Sequence, residues 1–122
     1  MIVLPEAMSY IGYKIIHLAG IMTLFAAIGG LAALDPRKPA AMRGFVALHG
    51  IALLLVLTGG FGMQAKLQMG IPGWMIAKLA VWLLMGFSLV IFKRQLVAPR
   101  LALGFTIGLG VAATYLGIYK PF

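Results

Sequence analysis

The chain has 122 residues, of which 63% are hydrophobic and 10% charged, with a net charge of +8 and no cysteine. A soluble domain carries about 25% charged residues, so this chain cannot cover a water-facing surface and reads as one solvated by lipid. The missing thiols exclude a disulfide framework, a thiolate metal site and a cysteine nucleophile.

Mean hydropathy is +1.08. The basic residues lie at the ends of apolar segments rather than in a stripe, the pattern of a membrane protein and not of a nucleic-acid binder. The first apolar segment has no basic stretch before it and is too long for a signal-peptide core, so it reads as a span.

The six prolines, Pro5, Pro36, Pro39, Pro72, Pro99 and Pro121, punctuate the chain into four apolar stretches. Each is about 20 residues or longer, enough to cross a hydrocarbon core of about 30 Å at 1.5 Å per residue. The expected spans are 9–34, 42–64, 73–92 and 100–119. Barrel strands would alternate over about 10 residues, and no such alternation is present. Short connections make neighbouring helices antiparallel. The expected fold is therefore a single all-α domain, an integral membrane antiparallel four-helix bundle.

Span one carries Lys14 and His17, and span two carries His49. Span three opens on Trp74 and Lys78, and span four holds Thr106 and a small-residue row of Gly104, Gly108 and Ala112. One end of the bundle collects Arg37, Lys38, Arg43, Lys93, Arg94 and Arg100, and the other Lys14, Lys66, Lys78 and Lys120. The six-cation end is expected in the cytoplasm, with both termini outside a bacterial inner membrane. Tyr10, Tyr13, Trp74, Tyr115 and Tyr119 form an aromatic belt at the outer end. The small-residue row is expected to pack inside the monomer. The alternative is a homo-oligomer, or a larger membrane complex, built on that face.

Intramembrane polar residues need a reason. Two histidines in a four-helix bundle invite a bis-imidazole haem. Ligands to one iron must share a depth, however. His17 lies about eight residues, or ~12 Å, into span one from the outer end. His49 lies about seven residues, or ~10 Å, into span two from the opposite end. The two rings should therefore differ in depth by about 8–15 Å, which argues against a shared iron. Thr106 lies at a depth where it can satisfy His49.

Lys78 lies about five residues into span three, within ~5 Å of the depth of His17 and within reach of its side chain. Lys14, at i−3 from His17, is expected on the same face. An imidazole and up to two ammonium groups would then share one outer pocket, with Glu6 as the only nearby acid. Buried cations need anionic partners, which porphyrin propionates or a lipid phosphate would supply. The structural alternatives are a snorkelling Lys78 and a His17 that merely bonds a neighbouring carbonyl or hydroxyl.

Met8, Met63, Met69 and Met75 gather toward the outer side. Thioethers bind Cu(I), but no Met-x-x-Met tract is present and methionine is ordinary apolar filler. Glu6 and Asp35 lie in a terminal and a loop segment, so paired-carboxylate and Ser-His-Asp catalysis lack their parts.

The segments YKIIHLAGIMTLFAAIGGL and GWMIAKLAVWLLMGF resemble the layout of the HemJ-type protoporphyrinogen oxidases, which the SirB-like and CopD-like small membrane proteins share in part. The resemblance rests on a Lys-x-x-His pattern at Lys14 and His17 and a Trp-x-x-x-Lys-Leu pattern at Trp74, Lys78 and Leu79. It covers about a third of the chain. It implies a helical membrane protein that binds haem b, with His17 as the metal ligand and Lys78 as its functional partner. The HemJ type carries an arginine near the end of its first helix, whereas Gly29–Leu34 here holds no charge, a departure that argues against porphyrinogen oxidation.

Overall fold

The computed structural model describes residues 4–35, 37–67 and 70–120, with side chains from Tyr10 onward. The side chains of Pro5, Glu6 and Met8, and the residues Pro36, Met69 and Pro121, lie outside the described residues.

The fold is all-α, as expected. Four helices follow one another: α1 (Leu4–Ala33), α2 (Pro39–Leu67), α3 (Gly73–Arg94) and α4 (Pro99–Tyr119). All four are long and apolar enough to cross a membrane. The shortest, α4 with 21 residues, spans about 30 Å. The chain is thus a multi-pass membrane protein by the length and composition of its helices.

The helices are longer than the expected spans, and proline explains the earlier starts of α2 and α4. Pro39 and Pro99 are the first residues of α2 and α4 rather than the last of the preceding loops. At the first helical position the missing N–H has no intrahelical acceptor to lose, and the fixed φ suits a helix. Pro72, with φ −74 and ψ 166, is the residue from which α3 starts. The α3 helix ends on Gln95 in the left-handed region, whose N–H donates to the Ile91 carbonyl.

Contacts along α1 and α2 fix their direction. Tyr13, His17, Gly20 and Gly30 of α1 lie against Gly62, Gly59, Val56 and Phe45 of α2 in that order. One number rises as the other falls, so the pair is antiparallel. The two backbones touch. A Cβ on Gly59 would stand 2.6 Å from the His17 nitrogen, and one on Gly20 would stand 2.8 Å from the Val56 nitrogen. Only glycine permits this approach. In lipid, close packing rather than the hydrophobic effect drives helix association, so the α1–α2 hairpin is the firmest part of the molecule.

The α3–α4 hairpin packs against itself next most extensively, and the two hairpins touch each other sparingly. Where they do meet, the half nearer the α1–α2 and α3–α4 loops, here called the inner half, is tight. Leu24, Ile28, Leu31, Met42, Ala52, Met85, Phe92, Ala102 and Leu109 form one buried cluster there. The Trp82 indole N–H donates to the Leu53 carbonyl at 2.9 Å and ties α3 to α2. Toward the opposite end, that of the chain termini and here called the outer end, cavities lie between the hairpins.

The small-residue row of α4 does not pack inside the monomer. Gly104, Gly108 and Ala112 are exposed, and a Cβ on either glycine would meet nothing within 4 Å. The buried residues of α4 are instead Ala102, Thr106 and Leu109. The helix is apolar on every side, so small size alone does not say which side faces the protein. Gly29 likewise faces open space, whereas Gly30 receives the Phe45 ring.

Candidate functional site

The outer half holds two adjoining cavities. One, of ≈ 230 Å³, lies among α1, α2, α3 and the end of α4, and its walls include Tyr10, Gln64, Trp74 and Lys120. The other, of ≈ 580 Å³, lies among α1, α3 and α4 and reaches Val56 of α2, with mostly apolar walls that include Ile21, Phe25, Met85 and Val111. His17, Val56, Lys78, Trp82 and Gly117 line both. His17 and Lys78 therefore share one pocket, as their expected depths require.

The His17 ring is half-buried, and its Nδ1 lies 2.8 Å from the Val56 carbonyl oxygen. A carbonyl only accepts, so Nδ1 carries the proton and donates it. That assigns the tautomer: Nε2 is left as a bare lone pair on a cavity-lining residue, with no hydrogen-bond partner among the described residues. The carbonyl bond of the structural alternative is thus present, but it occupies only one nitrogen. An imidazole whose Nδ1–H is held by a backbone carbonyl is the arrangement that orients Nε2 toward a metal. The bond depends on Gly59, because the close α1–α2 approach brings this part of α2 onto His17.

Lys78 is half-buried, and its Nζ lies where it would be 3.3 Å from a Cβ on Gly117. A side chain at Gly117 would crowd the ammonium group by only a few tenths of an ångström. Lys78 makes no hydrogen bond among the described residues and stands 6.0 Å from the centre of the Trp74 ring.

The second ammonium group of the pocket comes from Lys120, not from Lys14. Lys14 is exposed and lines neither cavity. At i−3 it lies about 60° around the helix from His17, and the rotation of α1 turns that side outward. Lys120 ends α4 in the left-handed region (φ 48, ψ 59), its N–H donating to the Leu116 carbonyl. Its side chain folds back so that Nζ donates to the Gly117 carbonyl at 2.9 Å. A cation on the last carbonyls of a helix is favourable. The same fold-back carries Nζ to 5.2 Å from the Trp74 ring, and both residues line the smaller cavity. The sequence signal for Lys120 was its place one residue past a Gly117-containing last turn.

His49 is a different kind of residue. It is fully buried, and it lines neither outer cavity. Its Nε2 lies 3.4 Å from the Ser88 hydroxyl oxygen, and Ser88 in turn donates to the Met85 carbonyl. The expected partner, Thr106, instead donates to the Leu103 carbonyl of its own helix. Since the Ser88 proton is committed to Met85, Nε2–H donates to Ser88, and Nδ1 is left buried without a partner. The carbonyl bonded by His17 belongs to Val56, seven residues beyond His49 and so about 10 Å along α2. The two rings occupy different levels.

Met63 and Met75 line the smaller cavity and Met85 the larger. Among the described residues no three His, Cys, Asp or Glu side chains gather as a metal cluster. No acid lines either cavity among the described residues; Asp35, at the opposite end, is engaged by Arg37 at 3.1 Å. The outer site is a single oriented imidazole beside two ammonium groups, at the head of an apolar cavity. Comparison with protein-family models, with curated proteins and with solved structures finds no match, so the functional conclusion follows from the chemistry of this site alone.

Proposed function

We propose that this chain is a porphyrin-associated protein of a bacterial inner membrane that holds haem b in its outer half. The observation that carries the reading is His17. Its Nδ1–H is fixed on the Val56 carbonyl, and its Nε2 is free at the junction of two cavities. Such a nitrogen fits an axial ligand. The combined space is within the range of about 300–1,000 Å³ usual for cofactor pockets. The acid-free pair Lys78 and Lys120 suits the two propionates of a haem. Bound there, an iron porphyrin supplies one-electron redox chemistry. The chain itself orients the ligand nitrogen, neutralises the acid groups and keeps water from the apolar face. The excess of cations at the α1–α2 and α3–α4 loop end favours that end in the cytoplasm, which puts the site on the outer side.

The purified protein, or the protein reconstituted with hemin, should show a Soret band. His17→Ala should abolish it, and His49→Ala should leave it intact. A protein that shows no band and gains none with hemin does not do this.

One observation favours a second reading, that of an accessory or self-associating module. The Gly104, Gly108 and Ala112 row faces outward into open space, and small residues of that spacing let helices from two chains approach closely. Crosslinking and native mass spectrometry in mild detergent test it. A strictly monomeric particle with no co-purifying partner sinks it.

A further inference from the structure

The larger cavity is not sealed from the bilayer. Leu18 of α1 and Val111 and Ile118 of α4 line it, yet they are 45%, 64% and 69% exposed. A residue that both lines a cavity and faces outward marks an opening, here between α1 and α4. These two helices meet lower down, where the Phe25 ring packs over Gly110: a Cβ there would stand 2.9 Å from the ring tip. Phe25 on Gly110 thus forms the floor. The space above it runs up to His17, Lys78 and Gly117 and is capped at the outer end by Lys120 and Trp74.

Such a space is polar and cationic at one end, apolar along its length, and open sideways at membrane depth. Water-soluble ligands enter poorly through a lipid-facing side door. Purely apolar ligands leave the half-buried ammonium group of Lys78 without a counter-ion, which is costly away from bulk water, while the exposed Lys120 adds a second cation at the same end. The geometry points to a site for an acidic amphiphile taken directly from the bilayer through the α1–α4 opening. Its carboxylate or phosphate rests on Lys78 and Lys120, and its apolar body lies over Phe25. The inference concerns the same pocket as the haem reading but does not need iron, and it assigns to Lys120 the role of a head-group ligand.

The two tryptophans of the chain report on the site, because Trp74 lines the smaller cavity and Trp82 lines both. The test uses the protein in nanodiscs of phosphatidylcholine. Dibromostearic acid, a brominated lysophosphatidic acid and dibromostearic methyl ester are added in turn, and tryptophan quenching is followed. The expected result is saturable quenching by at least one of the two acids and only weak, unsaturable quenching by the ester. Which acid saturates at lower concentration tells carboxylate from phosphate. The double variant Lys78→Gln/Lys120→Gln should weaken binding of that acid by about tenfold or more, whereas Lys14→Gln should not. Val111→Phe, at a lipid-facing position that narrows the opening, should slow the approach to saturation with the final quenching retained. Equal quenching by acids and ester, unchanged in the double variant, overturns the inference. Absence of a Soret band with saturable acid binding would instead remove only the iron.

Discussion

The inner and outer halves of this bundle treat the same residue type in opposite ways. In the inner half, His49 is fully buried, bonded to Ser88 and packed among the residues that close the core. In the outer half, His17 is half-buried, with one nitrogen fixed on a carbonyl and the other facing a cavity. The difference arises from the room between the helices. Around His49 and Ser88, neither of which lines a cavity, the helices leave no room for a ligand, whereas Trp82, which ties α3 to α2, already lines both cavities. Toward the outer end the same helices provide a pocket. A buried imidazole is therefore not by itself a functional one. What matters is which nitrogen is free, and what space lies in front of it.

The largest effect should follow from pushing the firm hairpin apart. Gly59→Leu places a side chain into the His17 backbone, and it should abolish recovery of folded protein from the membrane. The milder Gly59→Ala should cost about 1–3 kcal/mol of stability by overpacking, and in reconstituted protein it should also weaken the Soret band by disturbing the His17–Val56 bond. By contrast Gly104→Ala, which meets open space, should leave thermal stability within about 0.5 kcal/mol of the wild type in the monomer, or raise it. Equal losses at Gly59 and Gly104 would show that α1 and α2 do not cross as described.

The next effect separates the two histidines. Ser88→Ala leaves both nitrogens of a buried imidazole without partners and should cost about 1–3 kcal/mol in denaturant unfolding. The double change His49→Leu/Ser88→Ala removes both polar partners and should recover much of that loss. In the outer half, Lys78→Gln removes an ammonium group that has no hydrogen bond among the described residues. It should leave apo-protein stability unchanged or improved. A strongly destabilised Lys78→Gln would mean that the lysine supports the fold rather than a ligand.

Trp82→Phe should cost about 1 kcal/mol, the value of one hydrogen bond between the hairpins. It should loosen the outer half first, seen as faster amide exchange around Lys78 than around Ser88.

The smallest effect lies in the α1–α2 loop. The Asp35 carboxylate accepts hydrogen bonds from the Arg37 side chain and its backbone N–H, and these hold its pKa below the usual carboxylate value. A lowered folded value means that the stabilisation is present above the unfolded pKa of about 3.9 and is lost as pH falls through the folded value. Any melting-temperature difference between wild type and Asp35→Asn should therefore shrink below about pH 3.9. The pair is solvent-exposed, with the Arg37 side chain 88% accessible, so the difference should be small even at neutral pH.

Much of this protein is written locally. A helix in lipid must satisfy its own backbone hydrogen bonds, so an apolar run of sufficient length bounded by prolines is enough to locate each span. Depth follows from counting residues at a fixed rise, which is why the shared level of His17 and Lys78, and the offset of His49, were legible before any coordinates. Rotation about each helix axis was not. In a soluble helix the polar stripe shows which face is outside, but here lipid-facing and protein-facing sides are equally apolar. The outward turn of Lys14 and of the Gly104, Gly108 and Ala112 row, and the pairing of His49 with Ser88, therefore required the tertiary packing. So did the fold-back of Lys120, which depends on a left-handed helix end and on the place of Trp74 on a different helix. Composition, proline and rise per residue determined four membrane-length helices and the level of the site. Only the glycine-fitted crossing of α1 on α2, and the packing of the second hairpin against it, decided which side chains meet there.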